Sequence, residues 1–212
     1  MNPTHQSDEQ LAGESQSGSL AAFEELVSRH QSRLFHFLCQ KAPSREDAED
    51  LAQQTFVTAW RRIGQYRLEA RFTTWLYTIA RRLAISRYRK YGGVIHCGLE
   101  HVESECEPTA GPMESAVKVE EQNLIWRVSR QSLKEEAFDA LWMRYREDMS
   151  ITEIAAILRR TETSVKVILH RARKVLGRAL EAESARPALA TRHKHSFGLV
   201  ELKMPLAQES QL

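Results

Sequence analysis

The residues that most constrain this chain are 151–176, which read as two helices joined by a tight turn, with cations along the second. Ser150 and Glu153 have the spacing of a capping box, which predicts the start of the first, short helix. A turn and a long helix from Glu162 to about Leu180 follow, so the unit is a predicted helix-turn-helix. At 100° per residue, one side of the long helix is apolar and predicted to be buried: Val165, Ile168, Leu169, Ala172, Val175 and Leu176.

The opposite side of the long helix is predicted to face duplex DNA. A major groove about 12 Å wide admits one helix, which presents its first residues to base edges and its later cations to phosphates. Base reading is therefore assigned to Thr163, Lys166, Val167 and His170, with Ser164 included among the DNA contacts. Phosphate contacts are assigned to Arg171, Arg173 and Lys174. Two alternatives stay open, since Val167 could be an ordinary surface valine and His170 an ordinary surface imidazole.

The net charge of +2 conceals three segments of different character. Residues 61–90 include nine basic side chains and one acidic side chain. Residues 159–178 include seven basic side chains and one acidic one, whereas residues 92–123 include seven glutamates and one lysine. Two basic lobes joined by an acidic connector favour two nucleic-acid contacts. The alternative is that each run is only a solvated helix face.

Apolar spacing predicts helices along most of the remaining chain and no strand. The expected fold class is all-α, with two small helical domains joined by a flexible acidic linker, the second domain being the helix-turn-helix. Ser44 is predicted to cap a helix that ends at Gly64, and Gly92 and Gly93 are predicted to stop the next one. The predicted boundaries are a disordered N-terminus at 1–19, a first domain at 20–91, a linker at 92–114, a second domain at 115–183 and a C-terminal tail at 184–212.

Two groups of side chains in the first domain suggest further contacts. One helix begins with more acids and amides than capping requires, which suggests a protein partner: Glu46, Asp47, Glu49, Asp50, Gln53 and Gln54. Beyond it, arginines alternate with aromatic residues, as in single-stranded nucleic-acid sites where bases stack on rings: Tyr66, Phe72, Trp75, Tyr77, Tyr88 and Tyr91. Phe72 and Trp75 could equally be core residues, which is the favoured position for Trp75, whereas stacking is favoured for Tyr66 and Tyr88.

Four segments in this order resemble bacterial sigma factors of the extracytoplasmic-function (ECF) group, from about residue 20 to residue 180: DAEDLAQQTFVTAW, FTTWLYTIARRLA, SITEIAAIL and SVKVILHRARKVL. The resemblance implies that 47–56 docks on the clamp helices of the largest RNA polymerase subunit, through Asp47, Asp50, Leu51, Gln53, Gln54 and Phe56. It implies that 65–90 captures the unwound non-template strand of the minus-ten element, through Tyr66, Arg67, Arg71, Phe72, Trp75, Arg81, Arg82 and Tyr88. It also implies that 162–174 reads the minus-thirty-five element.

The family implies binding without chemistry of its own, so no enzyme activity and no cofactor are expected. The implied partners are core RNA polymerase and promoter DNA, both as duplex and as unwound strand, and an inhibitory anti-sigma factor is common in the family. The chain departs from the family pattern in the strand-capturing helix, where Arg82 and Ser86 replace the usual Asn and Asp. The usual Gly of the helix-turn-helix turn is replaced by Arg159 or Arg160, which predicts a strained turn.

The residues also bear on other interpretations, the weakest of which is a scaffold that sequesters polymerase without promoting initiation. An enzyme is disfavoured because the sequence lacks a Gly-rich phosphate loop, a paired-carboxylate site and a nucleophile constellation. His96, Cys97, His101 and Cys106 could bind zinc, but their spacing matches no familiar ligand pattern, so no metal site is expected. A stand-alone helix-turn-helix regulator of transcription is the main alternative function, although it leaves the acidic helix of the first domain unexplained.

Composition also predicts where the protein works. The apolar runs are far shorter than the roughly 20 residues of a membrane span, and the start, MNPTHQSDEQ, lacks a secretory pattern. A cytoplasmic protein without membrane insertion is therefore expected. The three cysteines, Cys39, Cys97 and Cys106, are sparse and odd in number, which favours reduced thiols.

Overall fold

The computed structural model describes residues 6–90 and 114–184, and in these two ranges every regular element is helical. The helices are α1 (Asp8–Gln16), α2 (Leu20–Cys39), α3 (Arg45–Arg62), α4 (Phe72–Lys90), α5 (Glu114–Ser132), α6 (Glu135–Tyr145), α7 (Ile151–Leu158) and α8 (Glu162–Ser184). A short 3-10 turn, Ile63–Gln65, follows α3. The predicted all-α fold class is thus confirmed. None of the described helices combines the length and the apolarity that crossing a membrane would need.

The first domain is built around α2, whose apolar stripe is buried against its neighbours. Phe23, Leu26, Leu34 and Phe37 recur at three- and four-residue spacing and face α1, α3 and α4. α3 begins where predicted, because the Ser44 hydroxyl oxygen accepts the Asp47 backbone N–H at 3.1 Å. It ends two residues before the predicted glycine, and the chain continues into the 3-10 turn.

The expectation of a disordered segment at 1–19 is wrong for residues 8–16, which form α1. Ser7 and Gln10 make a complete capping box, with distances of 3.2 Å and 2.9 Å between donor and acceptor atoms. Leu11 and Ala12 are buried against the first domain. Two buried apolar residues are too few to produce a visible hydrophobic period, so this helix owes its stability to tertiary packing rather than to a pattern in its own sequence.

The second domain contains the predicted helix-turn-helix. Ser150 and Glu153 form the predicted capping box at the start of α7. Arg159 ends α7 in the left-handed region, with φ 56° and ψ 48°, where a residue with a Cβ is sterically disfavoured. The backbone of Arg159 thus has a conformation that glycine adopts more easily. Thr161 precedes α8 and its hydroxyl oxygen accepts the Ser164 backbone N–H at 3.2 Å.

The two domains pack directly on each other, which the sequence did not predict. The Asp139 carboxylate on α6 is completely buried and accepts a hydrogen bond from Arg81 Nε on α4 at 2.8 Å. Asp139 also pairs with the Lys41 ammonium group, which lies just beyond α2 with 3% of its side chain exposed. Thr74 Oγ1 on α4 donates a hydrogen bond to Glu153 Oε1 on α7 at 3.1 Å. Charged groups of both domains thus meet in one interface.

The predicted linker and C-terminal tail lie outside the described residues, apart from the first residue of α5 and the last of α8. The His96, Cys97, His101 and Cys106 cluster lies outside them as well, as do Cys97 and Cys106 considered as thiols.

Candidate DNA and protein interfaces

The outer side of α8 is exposed where the sequence predicted it to be. Val165, Leu169, Ala172 and Leu176 face inward and are buried. The residues exposed on the other side are Thr163, Lys166, Val167, His170, Arg171 and Lys174. Val167 is 42% exposed and lies among cations, so an apolar contact and several phosphate contacts are available on one helix face.

Two predicted contact residues of α8 lie at the flank rather than at the centre of this face. Ser164 is half-buried, and its hydroxyl lies 3.0 Å from the Thr161 hydroxyl in the capping motif. Arg173 is half-buried, and its Nη1 donates a hydrogen bond to the Tyr145 hydroxyl at 3.3 Å. Val175, predicted to be buried, is 41% exposed instead, although its neighbour Leu176 is buried.

The acidic end of α3 presents an exposed polar strip. Asp50, with 60% of its side chain exposed, is followed on the same side by the exposed residues Gln53 and Gln54. Val57 continues this strip as an exposed apolar residue, and the sequence analysis missed it. Its position three residues after Gln54 and four after Gln53 was the available signal, because helical neighbours at that spacing share a face.

The other predicted partner contacts of α3 differ in accessibility. Leu51 is buried in the stripe that packs on the core, which corrects its assignment as a surface contact. Phe56 is half-buried. Asp47 is also half-buried, and it shares Arg87 of α4 with Asp50, at nitrogen–oxygen distances of 2.8 Å and 3.2 Å. α4 therefore holds the acidic end of α3 in place.

The aromatic residues near α4 form an internal cluster more than a surface. Tyr66 is 4% exposed, and its ring packs edge-on against Phe72 with centroids 5.8 Å apart. Trp75 is half-buried and lies 5.3 Å from the Tyr66 ring. Burial, together with the nearby carboxylates of Glu9 and Asp8, raises the pKa of Tyr66 to about 12. This corrects the expectation that Tyr66 offers a ring face to a base.

The predicted minus-ten cations are mostly exposed, and two of them lie near carboxylates of the second domain. Arg67, Arg71 and Arg82 are exposed, as is the ring of Tyr88. Arg81 is occupied by Asp139, and Nη1 of Arg71 lies 3.5 Å from Glu153 Oε1. The exposed members form a positive surface along the loop before α4 and the outer side of that helix.

A second contribution to this positive surface comes from neighbouring elements. Partial burial and the guanidinium groups of Arg159 and Arg62 lower the pKa of Arg82. Because the charges of Arg62 and Arg159 act on Arg82, the end of α3, the middle of α4 and the helix-turn-helix turn contribute to one region of positive potential. Such a region attracts a polyanion.

Comparison with known protein families identifies the family to which this chain belongs. Residues 26–93 match the model of Sigma-70 region 2, and residues 131–176 match the model of Sigma-70, region 4. The two matches together span more than half of the chain. The chain belongs to the sigma-70 family of RNA polymerase sigma factors.

Curated relatives place this sigma factor in the ECF group, which confirms the resemblance. It is 27% identical to the RNA polymerase sigma-H factor of Pseudomonas aeruginosa over 186 residues, which cover 84% of this chain and 96% of that protein. It is 28% identical to the ECF RNA polymerase sigma factor SigW of Bacillus subtilis over 171 residues, which cover 77% of this chain and 91% of SigW.

A solved structure supports the fold of this sigma factor. CnrH, determined in complex with the cytosolic domain of CnrY, matches with a TM-score of 0.63 and 23% sequence identity. The match covers 84% of this chain and 99% of CnrH. The fold of the two helical domains is therefore one that sigma factors adopt.

Proposed function

We propose that this sigma factor directs core RNA polymerase to promoters through three separate surfaces. The strip on α3 binds the polymerase, the loop and outer side of α4 bind the unwound minus-ten strand, and the outer side of α8 reads the minus-thirty-five duplex. The observation that carries the proposal is the presence of regions 2 and 4 in one chain, each with exposed side chains of matching chemistry. The factor supplies binding and orientation, and the polymerase supplies the catalysis. We expect both to act in the cytoplasm, where polymerase meets DNA.

The proposal for α8 rests on its geometry and charge. A helix with one buried side and one exposed cationic side can enter a major groove without moving the domain beneath it. Thr163, Lys166, Val167 and His170 occupy its exposed first half, where such helices contact base edges. Arg171 and Lys174 follow and contact phosphates. Arg173, anchored by Tyr145, contacts a phosphate from the side of the groove.

The proposal for the minus-ten surface rests on the exposed cations around α4. Arg67, Arg71 and Arg82 follow the phosphates of the unwound strand, and the exposed Tyr88 ring is available for stacking. Tyr66, Phe72 and Trp75 act beneath this surface as the packed support of the loop. Arg82 stands where the family usually has Asn, so a charge replaces a neutral amide at that point of the strand.

The proposal for the polymerase surface rests on the exposed end of α3. Asp50, Gln53, Gln54 and Val57 form a strip with acceptors, donors and one apolar residue, which is a mixture suited to a protein partner. Asp47 belongs to the same end of the helix and is held by Arg87. A further candidate partner is an anti-sigma factor, which is common in the family and would compete for one or more of these surfaces.

Promoter binding by this mechanism requires the two domains to separate. Two elements about 25 base pairs apart are about 85 Å apart along B-form DNA, at 3.4 Å per base pair. In the described structure α4 and α7 are in direct contact, with Thr74 and Glu153 hydrogen-bonded at 3.1 Å. Two surfaces on touching helices, each about 10–12 Å across, cannot occupy both elements at once. Binding to the polymerase must therefore replace the contacts between the domains.

The experiment that tests the proposal is promoter binding with and without core polymerase. A labelled promoter fragment is incubated with the factor alone, with core polymerase alone and with both. The sigma-factor function predicts a specific complex only when both are present. A stand-alone regulator, the alternative function, predicts equally tight specific binding by the factor alone, and that result would contradict the proposal.

A further inference from the structure

We propose that α1 is a positioning element for the minus-ten loop, defined here as residues 66–71, and that Gln16 and Glu9 are its positioning residues. The inference rests on the proposed function, because it takes this loop to be part of the surface that receives the unwound strand. α1 lies before residue 26, where the match to Sigma-70 region 2 begins. Its contacts with the loop are therefore not part of the matched family pattern.

Gln16 holds the first end of the loop. Its Nε2 donates hydrogen bonds to the backbone oxygen of Ile63 at 2.9 Å and to that of Tyr66 at 2.7 Å. A side-chain amide has two N–H donors, and both are used here on carbonyl groups at the end of the 3-10 turn. Gln16 therefore ties the chain at the point where it leaves α3 and enters the loop.

Glu9 holds the other end of the loop. Its Oε1 accepts the backbone N–H of Phe72, the first residue of α4, at 3.4 Å. The residue before α4 is Arg71, whose backbone oxygen accepts the N–H of Trp75 but whose side chain has no acceptor. A helix N-terminus leaves several N–H groups without partners and favours a negative charge. Glu9 supplies from α1 the acceptor that Arg71 lacks.

The loop between these anchors has a defined internal structure. The Tyr66 hydroxyl donates a hydrogen bond to the Ala70 backbone oxygen, and the Ala70 N–H donates to the Arg67 backbone oxygen at 3.0 Å. Arg67, Leu68, Glu69, Ala70 and Arg71 are nevertheless all exposed. The backbone is thus restrained at both ends and in the middle while the side chains face outward.

α1 can transmit this restraint because it is itself attached to α2. Asp8 lies 3.1 Å from Arg29 Nη1 and 2.7 Å from His30 Nε2. Leu11 is buried in the same domain core. Discrimination between bases requires contact groups held to a fraction of an ångström, and a loop gains that precision from the shell of residues behind it. α1 supplies the residues that support the minus-ten loop from behind.

The test measures base discrimination by the full chain with core polymerase. Run-off transcription is compared between a parental promoter and two sets of mutants, one with single-base changes in the minus-ten element and one with changes in the minus-thirty-five element. Gln16→Glu keeps the size of the side chain but replaces both donors with a carboxylate facing two carbonyl oxygens. Glu9→Ala is the second variant, and Ser7→Ala is the matched control, since it weakens the start of α1 without touching the loop.

The expected result is a selective loss. Gln16→Glu and Glu9→Ala each lower the minus-ten discrimination ratio by about threefold to tenfold, the range expected for one or two hydrogen bonds, and leave minus-thirty-five discrimination unchanged. Gln16→Glu also speeds hydrogen exchange of the loop amides relative to those of α2. Ser7→Ala leaves both discrimination ratios as in the parent.

Three other outcomes overturn the inference or the function beneath it. Parental minus-ten discrimination in Gln16→Glu, together with a general loss of transcription in Arg71→Ala, overturns the role of α1 and leaves the minus-ten assignment standing. Equal losses at both elements in Gln16→Glu and Ser7→Ala show that α1 only stabilises the domain, which also overturns it. If Arg67→Ala and Arg71→Ala leave transcription from the parental promoter and its salt dependence unchanged as well, the proposed function of the loop itself fails.

Discussion

The outer side of α8 and the positive surface of α4 carry similar charge but differ in what covers them. On α8 the residues proposed to read DNA are exposed on one continuous face. On the other surface two of the proposed contacts meet carboxylates of the second domain: Arg81 of α4 at Asp139, and Arg71 of the loop, which is still exposed, at Glu153. We infer from this difference that the outer side of α8 can bind duplex DNA in the present domain arrangement. The positive surface of α4 would be fully accessible only after the domains separate.

The largest effect is expected from Asp139→Ala, which removes the carboxylate that covers the α4 surface. The variant leaves Lys41 and Arg81 partly or fully buried without that partner, and the expected loss is about 3–5 kcal/mol in the free energy of unfolding. Urea unfolding followed by tryptophan fluorescence measures it. Glu136→Ala on the same helix is the control, since the Glu136–Arg160 pair at 2.8 Å is exposed and an exposed ion pair contributes little to stability. Equal losses in both variants would break the comparison.

The next effect concerns base reading on the exposed surface. His170→Ala is expected to change the preference at one position of the minus-thirty-five element by about 1–3 kcal/mol, because it removes a side chain placed for base contact. Competition between promoter variants for the polymerase complex measures the preference. A uniform loss of affinity on all variants would show that His170 does not read a base.

Lys174→Ala tests the residues of α8 that are proposed to contact phosphates instead of bases. It is expected to weaken all duplex sequences alike and to reduce the slope of log affinity against log salt by about one unit, because one released counterion is lost. The measurement is a salt titration of promoter binding by the factor with core polymerase. A changed base preference with an unchanged slope would contradict the division of roles on α8.

A further variant tests the turn between α7 and α8. Arg159→Gly is expected to raise the free energy of unfolding by about 1 kcal/mol, because glycine adopts the left-handed conformation of φ 56° without a Cβ penalty. Thermal unfolding measures the change. Arg160→Gly is the control and should be neutral or destabilising, since Arg159 and Asp148 are the non-glycine residues with positive φ among those described.

The smallest effect is a pH dependence of the contact between the domains. Burial alone would raise the pKa of Glu135, but Lys41 and Arg130 outweigh it and lower the pKa to about 2. The contribution of Glu135 is therefore present above its ordinary pKa of about 4.5 and declines as the pH falls from there toward 2. It should be small, because 39% of the side chain is exposed and screened by solvent.

Glu135→Gln removes the ionisable group and so isolates the contribution of the Glu135 charge to stability. The difference in unfolding free energy between parent and variant should shrink when the pH is lowered from about 6 to about 3. A difference that stays constant over this range would show that the ionisation of Glu135 does not support the contact.

The helical period explains which parts of this molecule the sequence could predict. The buried and exposed sides of α8 followed from the spacing of Val165, Leu169 and Leu176, because a long amphipathic helix repeats its pattern over several turns. Tyr66 was misjudged because it lies in an irregular segment with no period, and only the fold places its ring under the loop. α1 was missed because its two buried apolar residues, Leu11 and Ala12, make no repeat.

The contact between the domains was invisible for a different reason. Lys41 and Asp139 are 98 residues apart in the chain, and neither has a local feature that marks it as buried. A charged residue can be recognised as buried only when the residue that pairs with it is known. A single sequence does not show which residue that is when the two lie so far apart in the chain. The exposed and occupied DNA surfaces therefore looked alike until the fold was known.

Run-off transcription with purified core RNA polymerase tests the central claim most directly. Core polymerase is assayed with and without the full chain on a promoter, on the same promoter with a scrambled minus-ten element, and on one with a scrambled minus-thirty-five element. The account predicts a defined transcript only with the chain present and only on the intact promoter. Absence of any defined start with the chain present, or starts that ignore both elements, would contradict it.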